Sequence, residues 1–140
     1  MSSMDTTQPI LVDSDAFVGW LYQRDSHHPQ ADAIFTDIIH QRRPLVTTSY
    51  VVTETATVLS HRQGQALARQ FLEMAAKFPV IHINETLHQA TLNLFSQQEK
   101  KGSSVVDCSN VVVMRQFQIP VIFSFDQVYH KTFQLQMATS

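Results

Sequence analysis

Short apolar runs alternate along this chain with longer segments in which apolar residues recur every three or four positions. Runs of this length, bounded by Pro, Asp, Ser or Asn, are typical of buried strands. They predict four strands, at 9–12, 45–48, 80–83 and 119–123.

The segments between these runs have helical spacing, and the apolar face formed by Ala31, Ile34, Phe35, Ile38 and Ile39 is an example. Helices are predicted over 16–23, from Pro29 past Ile39, after the second strand through 59, across 67–78, from Asn84 through 95, over 104–117 and over 127–133. Strands that alternate with helices predict an α/β fold, in which a central parallel sheet of four to five strands lies between two helical layers.

Length and composition favour a single globular domain: 140 residues, 44% hydrophobic and 16% charged. No internal repeat divides the chain, so we expect one domain over 9–135, with tails at 1–8 and 136–140. The single cysteine, Cys108, excludes an internal disulfide. The opening residues lack the pattern of a signal peptide, and no apolar run approaches the ~20 residues that span a bilayer. A cytoplasmic location without membrane contact is expected.

Acidic residues follow the predicted strands at the positions where ligands bind in open α/β sheets, namely the carboxyl ends of the strands. Asp13 follows the first strand and Asp126 the last, while Glu54 lies early in the helix after the second strand. Asp107 lies in the first turn of the helix before the last strand. Their neighbours are apolar or small, and buried carboxylates without partners are costly. A hard divalent cation, Mg²⁺ or Mn²⁺, would compensate their charge.

Ordinary structural roles remain open for three of these acids. Asp13 is well placed to cap the following helix, and Asp107 stands three residues after Ser104, the spacing of a capping box. Asp126 has the setting of a turn residue. A structural role is open for Glu54 as well, but it is the least favoured of the four, because Glu54 lies among apolar neighbours.

The four acids, spaced 41, 53 and 19 residues apart, resemble those of the PIN-domain ribonucleases, most closely the VapC-type toxins of toxin–antitoxin pairs. The resemblance covers residues 9 to about 135 and is carried by the segments 11–17, 48–54, 104–108 and 123–129, with the loop 24–28. Asp15 and Cys108 depart from the pattern, since many members have Ser or Asn at the first position and Ala at the second.

The resemblance implies a PIN-like fold and a metal-dependent endoribonuclease. Asp13, Glu54 and Asp107 would hold the principal Mg²⁺ or Mn²⁺, and Asp126 would hold a second ion or a water. Ser14, Asp15 and Ser124 are expected to orient these carboxylates, and Asp15 is also a further potential ligand. The implied partners are an RNA substrate, an antitoxin protein and a second copy of the chain, which would pack through the helices of roughly 29–41 and 49–78.

The net charge of −2 neither excludes nor supports an RNA substrate, because setting aside the four acids leaves ten basic against eight acidic residues. The basic residues considered for phosphate contact are Arg42, Arg43, Lys100, Lys101 and Lys131.

Two alternatives remain. One is a PIN-type nuclease of RNA maturation or decay without an antitoxin. The other is a non-catalytic doubly wound binding module such as a receiver, which would need a Lys after a later strand; here the fourth strand is followed by Ser124, Phe125 and Asp126. A zinc site is disfavoured because no two histidines have the H-x-x-x-H spacing.

Overall fold

The structure, a computed structural model, describes residues 7–139. Five parallel strands form one sheet in the order β3-β2-β1-β4-β5. The strands are β1 Ile10–Val12, β2 Leu45–Thr48, β3 Val80–Ile81, β4 Val121–Phe123 and β5 Gln136–Met137. The predicted α/β architecture with a central parallel sheet is confirmed.

Seven helices connect the strands of the described chain and cover both faces of the sheet. They are α1 Ser14–Leu21, α2 His28–His40, α3 Ser49–Arg62, α4 Gln65–Ala75, α5 Glu85–Ser96, α6 Val105–Gln116 and α7 Val128–Lys131. Alternate residues of β1 point to opposite faces: Ile10 and Val12 pack in the core with α1 to α4, whereas Leu11 packs in the core that α6 fills. The sheet therefore separates two cores, as a three-layer sandwich requires.

The direction in which the chain crosses the sheet reverses at β1. From β1 the chain proceeds to β2 and β3 on one side, and it later returns to β4 and β5 on the other side. Ile10 is aligned with Leu45 of β2 and with Val121 of β4. The carboxyl ends of β1 and β4 thus flank the switch point of the sheet, the position where ligands bind in this class of fold.

Three strands are shorter than predicted, and the smallest difference is in β1, which begins at Ile10 rather than at 9. β3 ends at Ile81 rather than 83 because β2, its partner, gives way to α3 at Ser49, and the Ile83 N–H donates to the Ser49 Oγ at 2.9 Å instead. β4 begins at Val121 rather than 119, since the Ile119 N–H closes the end of α6 by donating to the Met114 carbonyl at 2.9 Å.

The expected C-terminal tail, 136–140, is wrong at its start, because β5 falls inside it. Gln136 and Met137 are aligned with Val121 and Ile122 of β4, and Met137 is buried. One polar and one apolar residue did not predict a strand, but backbone pairing with β4 stabilises one. Most of the expected N-terminal tail, 1–8, lies outside the described residues. No helix within 7–139 is long and apolar enough to cross a membrane.

Candidate active site

A cleft of about 560 Å³ opens at the carboxyl edge of the sheet, beside the switch point. All four predicted acids line it, and so do Ser14 and Asp15. The remaining lining residues are Val18, Asp25, Ser26, His27, Val58, Arg62, Gly102 and Ser104. The structure therefore brings the sequence-predicted acids together, although they come from four separate segments.

Asp13 lies at the base of the cleft, between β1 and α1, and is almost fully buried. Its Oδ1 accepts hydrogen bonds from the Ser14 N–H at 2.8 Å and from Asn110 Nδ2 at 3.1 Å. Its Oδ2 lies 3.0 Å from the Ser124 Oγ and 2.8 Å from the Tyr129 hydroxyl. Burial nevertheless raises the pKa of Asp13 to about 6.

Asp15 is a fifth acid of the cluster. Its Oδ2 accepts from the Phe125 N–H at 3.0 Å and lies 3.2 Å from the Ser124 Oγ, but its buried Oδ1 has no hydrogen-bond partner among residues 7–139. Burial, together with the negative charge of Asp13, raises the pKa of Asp15 to about 7. The side chain therefore carries a charge that the surrounding protein compensates poorly.

Asp107 forms the capping box that its spacing from Ser104 predicted. The Ser104 N–H donates to Asp107 Oδ2 and the Asp107 N–H donates to Ser104 Oγ, both at 2.9 Å. Its other oxygen, Oδ1, lies 3.1 Å from the Tyr129 hydroxyl. Burial, and then the charge of Asp126, raises the pKa of Asp107. Capping thus uses one carboxylate oxygen and leaves the other directed at the cluster.

Glu54 and Asp126 complete the set from opposite sides of the cleft. The Ser14 hydroxyl donates to Glu54 Oε2 at 2.5 Å, so Ser14 orients an acid on α3 rather than the neighbouring Asp13. Asp126 accepts the Val128 N–H at 3.0 Å, which is the turn role considered for it. Asp126 is exposed, so the expectation that all four acids are partly buried is wrong for this residue.

Sequence reasoning missed two buried residues that hold the cluster. Asn110 lies one turn after Asp107 on α6 and donates to the Tyr129 hydroxyl at 3.0 Å as well as to Asp13. Tyr129 has one hydroxyl proton but faces the carboxylates of both Asp13 and Asp107. Burial and these negative charges raise its pKa well above the ordinary value. For Asn110 one available signal was an amide one turn after Asp107, directly before the apolar residues Val111 to Met114.

The basic residues singled out from the sequence lie outside the cleft lining. Arg42 and Arg43 precede β2, at the amino edge of the sheet, where Arg43 is buried and donates to the Gln8 carbonyl at 3.3 Å. Lys131 ends α7. Lys100 and Lys101 directly precede Gly102, which does line the cleft. Lys100 and Lys101 are therefore adjacent in sequence to the cleft lining.

Arg62, which the sequence did not single out, is a basic residue of the cleft lining. Its Nη1 donates to Asp25 Oδ1 at 3.0 Å, and the other oxygen of Asp25 accepts the His27 N–H at 3.0 Å. This pair fixes the loop between α1 and α2 at the rim of the cleft.

The donor atoms of the cluster are carboxylate and hydroxyl oxygens, which suit Mg²⁺ or Mn²⁺. The orphaned Oδ1 of Asp15 and the raised pKa values of three of the acids show uncompensated negative charge. Within residues 7–139, however, no three acidic, His or Cys side chains have the spacing of a formed metal site. The oxygen donors of these residues thus fit a hard divalent cation. Their present positions are set by hydrogen bonds from neighbouring protein groups.

A parallel sheet with an acidic cleft at its switch point defines a doubly wound α/β protein. The profile of the PIN domain family matches residues 10–133, and the chain belongs to this family. Its structure is similar to that of VapC20 from Mycobacterium tuberculosis, a sarcin–ricin loop cleaving toxin. The TM-score is 0.81 at 21% sequence identity, over 88% of this chain and 94% of that one. No curated protein matches the sequence.

Proposed function

We propose that this chain is a metal-dependent endoribonuclease that hydrolyses RNA phosphodiester bonds in the cytoplasm, as the toxin of a toxin–antitoxin pair. The observation that carries the proposal is that one cleft at the switch point of a PIN domain brings together the carboxylates of Asp13, Asp15, Glu54, Asp107 and Asp126. The structural similarity to a sarcin–ricin loop cleaving toxin supports RNA as the substrate class.

Asp13, Glu54 and Asp107 would hold the principal Mg²⁺ or Mn²⁺, with Asp126 completing the set. A cation held by these carboxylates would supply Lewis-acid activation of a water and would compensate the charge that develops on the phosphate. By the family resemblance, the products carry a 5′-phosphate and a 3′-hydroxyl.

The residues of this chain keep the ligands in place. Ser14 holds Glu54, and Tyr129 and Asn110 hold Asp13. Ser104 holds Asp107 through the capping box. Because each carboxylate is anchored by a protein donor, a cation entering the cleft meets oxygens of restricted orientation, which lowers the entropic cost of binding.

The proposal is tested by RNA cleavage with Mg²⁺ or Mn²⁺, with chelator, and with Asp107→Asn. We expect cutting only with metal, and no cutting by Asp107→Asn, since Asn preserves an acceptor for the Ser104 N–H but removes the charge. Asp37→Asn, which changes an exposed acid on α2, serves as the matched control. Cutting that survives chelator, or an Asp107→Asn protein as active as the control, would contradict the assignment.

The antitoxin would block the cleft with a basic side chain. An Arg suits this role because its planar fork fits carboxylates, and the cleft is lined with acids. We expect a cognate antitoxin that lacks its Arg and Lys tail residues to inhibit less strongly. Equal inhibition would contradict this blocking mode, and the absence of any inhibitory partner would favour a nuclease without an antitoxin.

The chain would form a homodimer through apolar side chains of α2, α3 and α4. Ile39 of α2 and Leu72 of α4 are large apolar residues that are 57% and 44% exposed in the single chain. Light scattering at tens of micromolar measures the mass directly. A monomer at that concentration would contradict the dimer.

A further inference from the structure

A column of aromatic rings runs from the core of the protein to the rim of the acidic cleft. It begins with Trp20 stacked on Phe35 at 4.0 Å between ring centroids, and Phe35 contacts Phe123 at 4.7 Å. Phe123 meets Phe125 edge to face at 5.9 Å. Phe125 in turn stacks on the His27 ring at 4.2 Å, with the two planes only 6° apart. His27 is therefore the outermost ring of a supported stack.

His27 presents one open ring face to the cleft. Phe125 covers one face of the imidazole, yet the His27 side chain is 46% exposed, so the exposed area lies on the opposite face and the edge. His27 lines the same cleft as Asp15 and Asp126. The flat imidazole ring of His27 and the carboxylates thus line the same cleft of about 560 Å³.

The loop that carries His27 is held in one position. The His27 N–H donates to Asp25 Oδ2, and Arg62 fixes Asp25 from α3. The next residue, His28, donates through Nδ1 to the Gly19 carbonyl at 2.8 Å. Gly19 also lets α1 approach α2 closely, because a Cβ at this position would lie only 3.2 Å from that of Ala31. A surface fixed before binding loses little entropy when a ligand stacks on it.

We propose that His27 is a stacking site for one unpaired nucleobase of the RNA substrate, next to the phosphate that is cut. The inference deepens the proposed nuclease function and rests on it. A nucleobase is a flat and uncharged ring, so it can occupy this face without the repulsion that the acids exert on an anion. Bases stack on aromatic side chains in single-stranded recognition with little dependence on sequence, whereas a paired base is not accessible for such stacking. His27 therefore selects an unpaired nucleotide at the cleavage site.

The test uses the Asp107→Asn protein with Mg²⁺, which keeps RNA intact, and short RNA oligonucleotides with 2-aminopurine at one position after another. Stacking quenches 2-aminopurine fluorescence. We expect quenching to concentrate at one position of the bound RNA, to disappear with His27→Ala and to persist with His27→Phe, which keeps an aromatic ring on Phe125. His40→Ala, a change at an exposed histidine at the end of α2, is the matched control and should leave the quenching unchanged.

Affinity measurements separate stacking from a structural role of the loop. For intact RNA, His27→Ala should weaken binding about tenfold or more, the range of one lost base–aromatic stack. For RNA with an abasic ribose at the quenched position, the same substitution should have little further effect.

Four outcomes would overturn the proposal. An equal loss of affinity for intact and abasic RNA would assign His27 to loop packing only. Quenching that survives His27→Ala would place the base elsewhere. If wild-type protein cuts RNA while no position is quenched, the stacking site is wrong and the nuclease stands; if the protein neither cuts nor binds RNA, both are wrong.

Discussion

Asp13 and Asp107 show that a carboxylate can cap a helix and still belong to an acidic site. Asp107 gives Oδ2 to the capping box of α6, while its Oδ1 faces the Tyr129 hydroxyl. Asp13 accepts the first N–H of α1 and also receives side-chain donors from α6 and α7. Capping and ligand roles were alternatives in the sequence, but the two oxygens of each carboxyl group allow both. The caps explain why these acids hold fixed orientations.

Tyr129→Phe tests how the cluster is held. The substitution removes the donor that lies 2.8 Å from Asp13 Oδ2 and the acceptor of the second Asn110 proton, which leaves buried polar groups short of a partner. We expect the free energy of unfolding to fall by about 1–3 kcal/mol. Because this hydrogen bond lowers the pKa of Asp13, its loss should also move Mg²⁺ binding to higher pH.

Denaturant unfolding and a pH series of Mg²⁺ titrations measure both effects. Tyr22→Phe is the matched control, since no hydrogen bond of its hydroxyl occurs among residues 7–139. If the two variants were equally stable, the Tyr129 hydroxyl would not support the cluster.

Tyr129 and Asn110 are the site residues that the sequence alone did not identify. The acids were identifiable because each follows an apolar strand or opens a helix, which are local signals. Tyr129 and Asn110 meet Asp13 across 116 and 97 residues of chain, respectively. Hydrophobic periodicity treats a buried Tyr on a short helix as core, so nothing local separates it from a packing residue. The role of Tyr129 is therefore visible only from its tertiary contacts.

The loop between α1 and α2 is held by the Asp25 side chain more than by Arg62. Asp25 accepts both the His27 N–H and the Arg62 guanidinium, and its side chain is only 11% exposed, against 53% for Arg62. We expect Asp25→Ala to cost about 1–2 kcal/mol and Arg62→Ala less than about 1 kcal/mol, because exposed ion pairs contribute little.

Hydrogen exchange of the 24–28 amides, with unfolding curves for both variants, checks this order. Asp25→Ala should also accelerate exchange at the His27 amide, whose acceptor it removes. A larger effect from Arg62→Ala would show that the ion pair, rather than the backbone hydrogen bond, sets the loop.

The elements that the sequence predicted well are the long ones. The five-residue apolar face of α2 predicted a helix from Pro29 past Ile39, and the structure has it from His28 to His40. β5 was missed because Gln136 and Met137 contain no alternation that a period of two can reveal. Its strand character comes from pairing with β4, which is a tertiary effect. The predicted ends of β3 and β4 were wrong for a similar reason, because tertiary contacts decide where strand pairing stops.

At the scale of the whole molecule, strand order creates the site. Alternating strands and helices predicted a parallel sheet, but the short apolar runs are too alike to indicate which strands are neighbours. The order places β4 beside β1, so Ser124 reaches Asp13 across 111 residues of chain. The general rule that ligands bind at the carboxyl edge was therefore enough to find the acids, while their hydrogen-bond partners required the structure.

The acidic cluster makes the stability of the whole protein depend on pH and on metal. Burial raises the pKa of Asp13 to about 6 and that of Asp15 to about 7, and it raises the pKa of Asp107 as well. In the unfolded chain these groups titrate near 4. Between these values the folded state binds more protons than the unfolded state. The metal-free protein is thus most stable, with respect to these groups, below about pH 4, and it loses this stability as pH rises towards 7.

We expect Asp15→Asn to raise the free energy of unfolding in chelator at neutral pH by about 1 kcal/mol, because it removes a poorly compensated charge and keeps an acceptor for the Phe125 N–H. Asp37→Asn, at an exposed position on α2 outside the cleft, is the matched control and should change stability little. Added Mg²⁺ should stabilise the parent protein through binding to the folded state, and more so at pH 8 than at pH 5, roughly, because the ligands must be deprotonated. Melting curves of the three proteins across pH, with chelator and with Mg²⁺, measure these effects. If Mg²⁺ did not change the melting temperature of the parent protein at any pH, a shared cation site would be ruled out. If the Asp15→Asn protein were less stable than the parent in chelator, the charge of Asp15 would already be compensated in the folded protein.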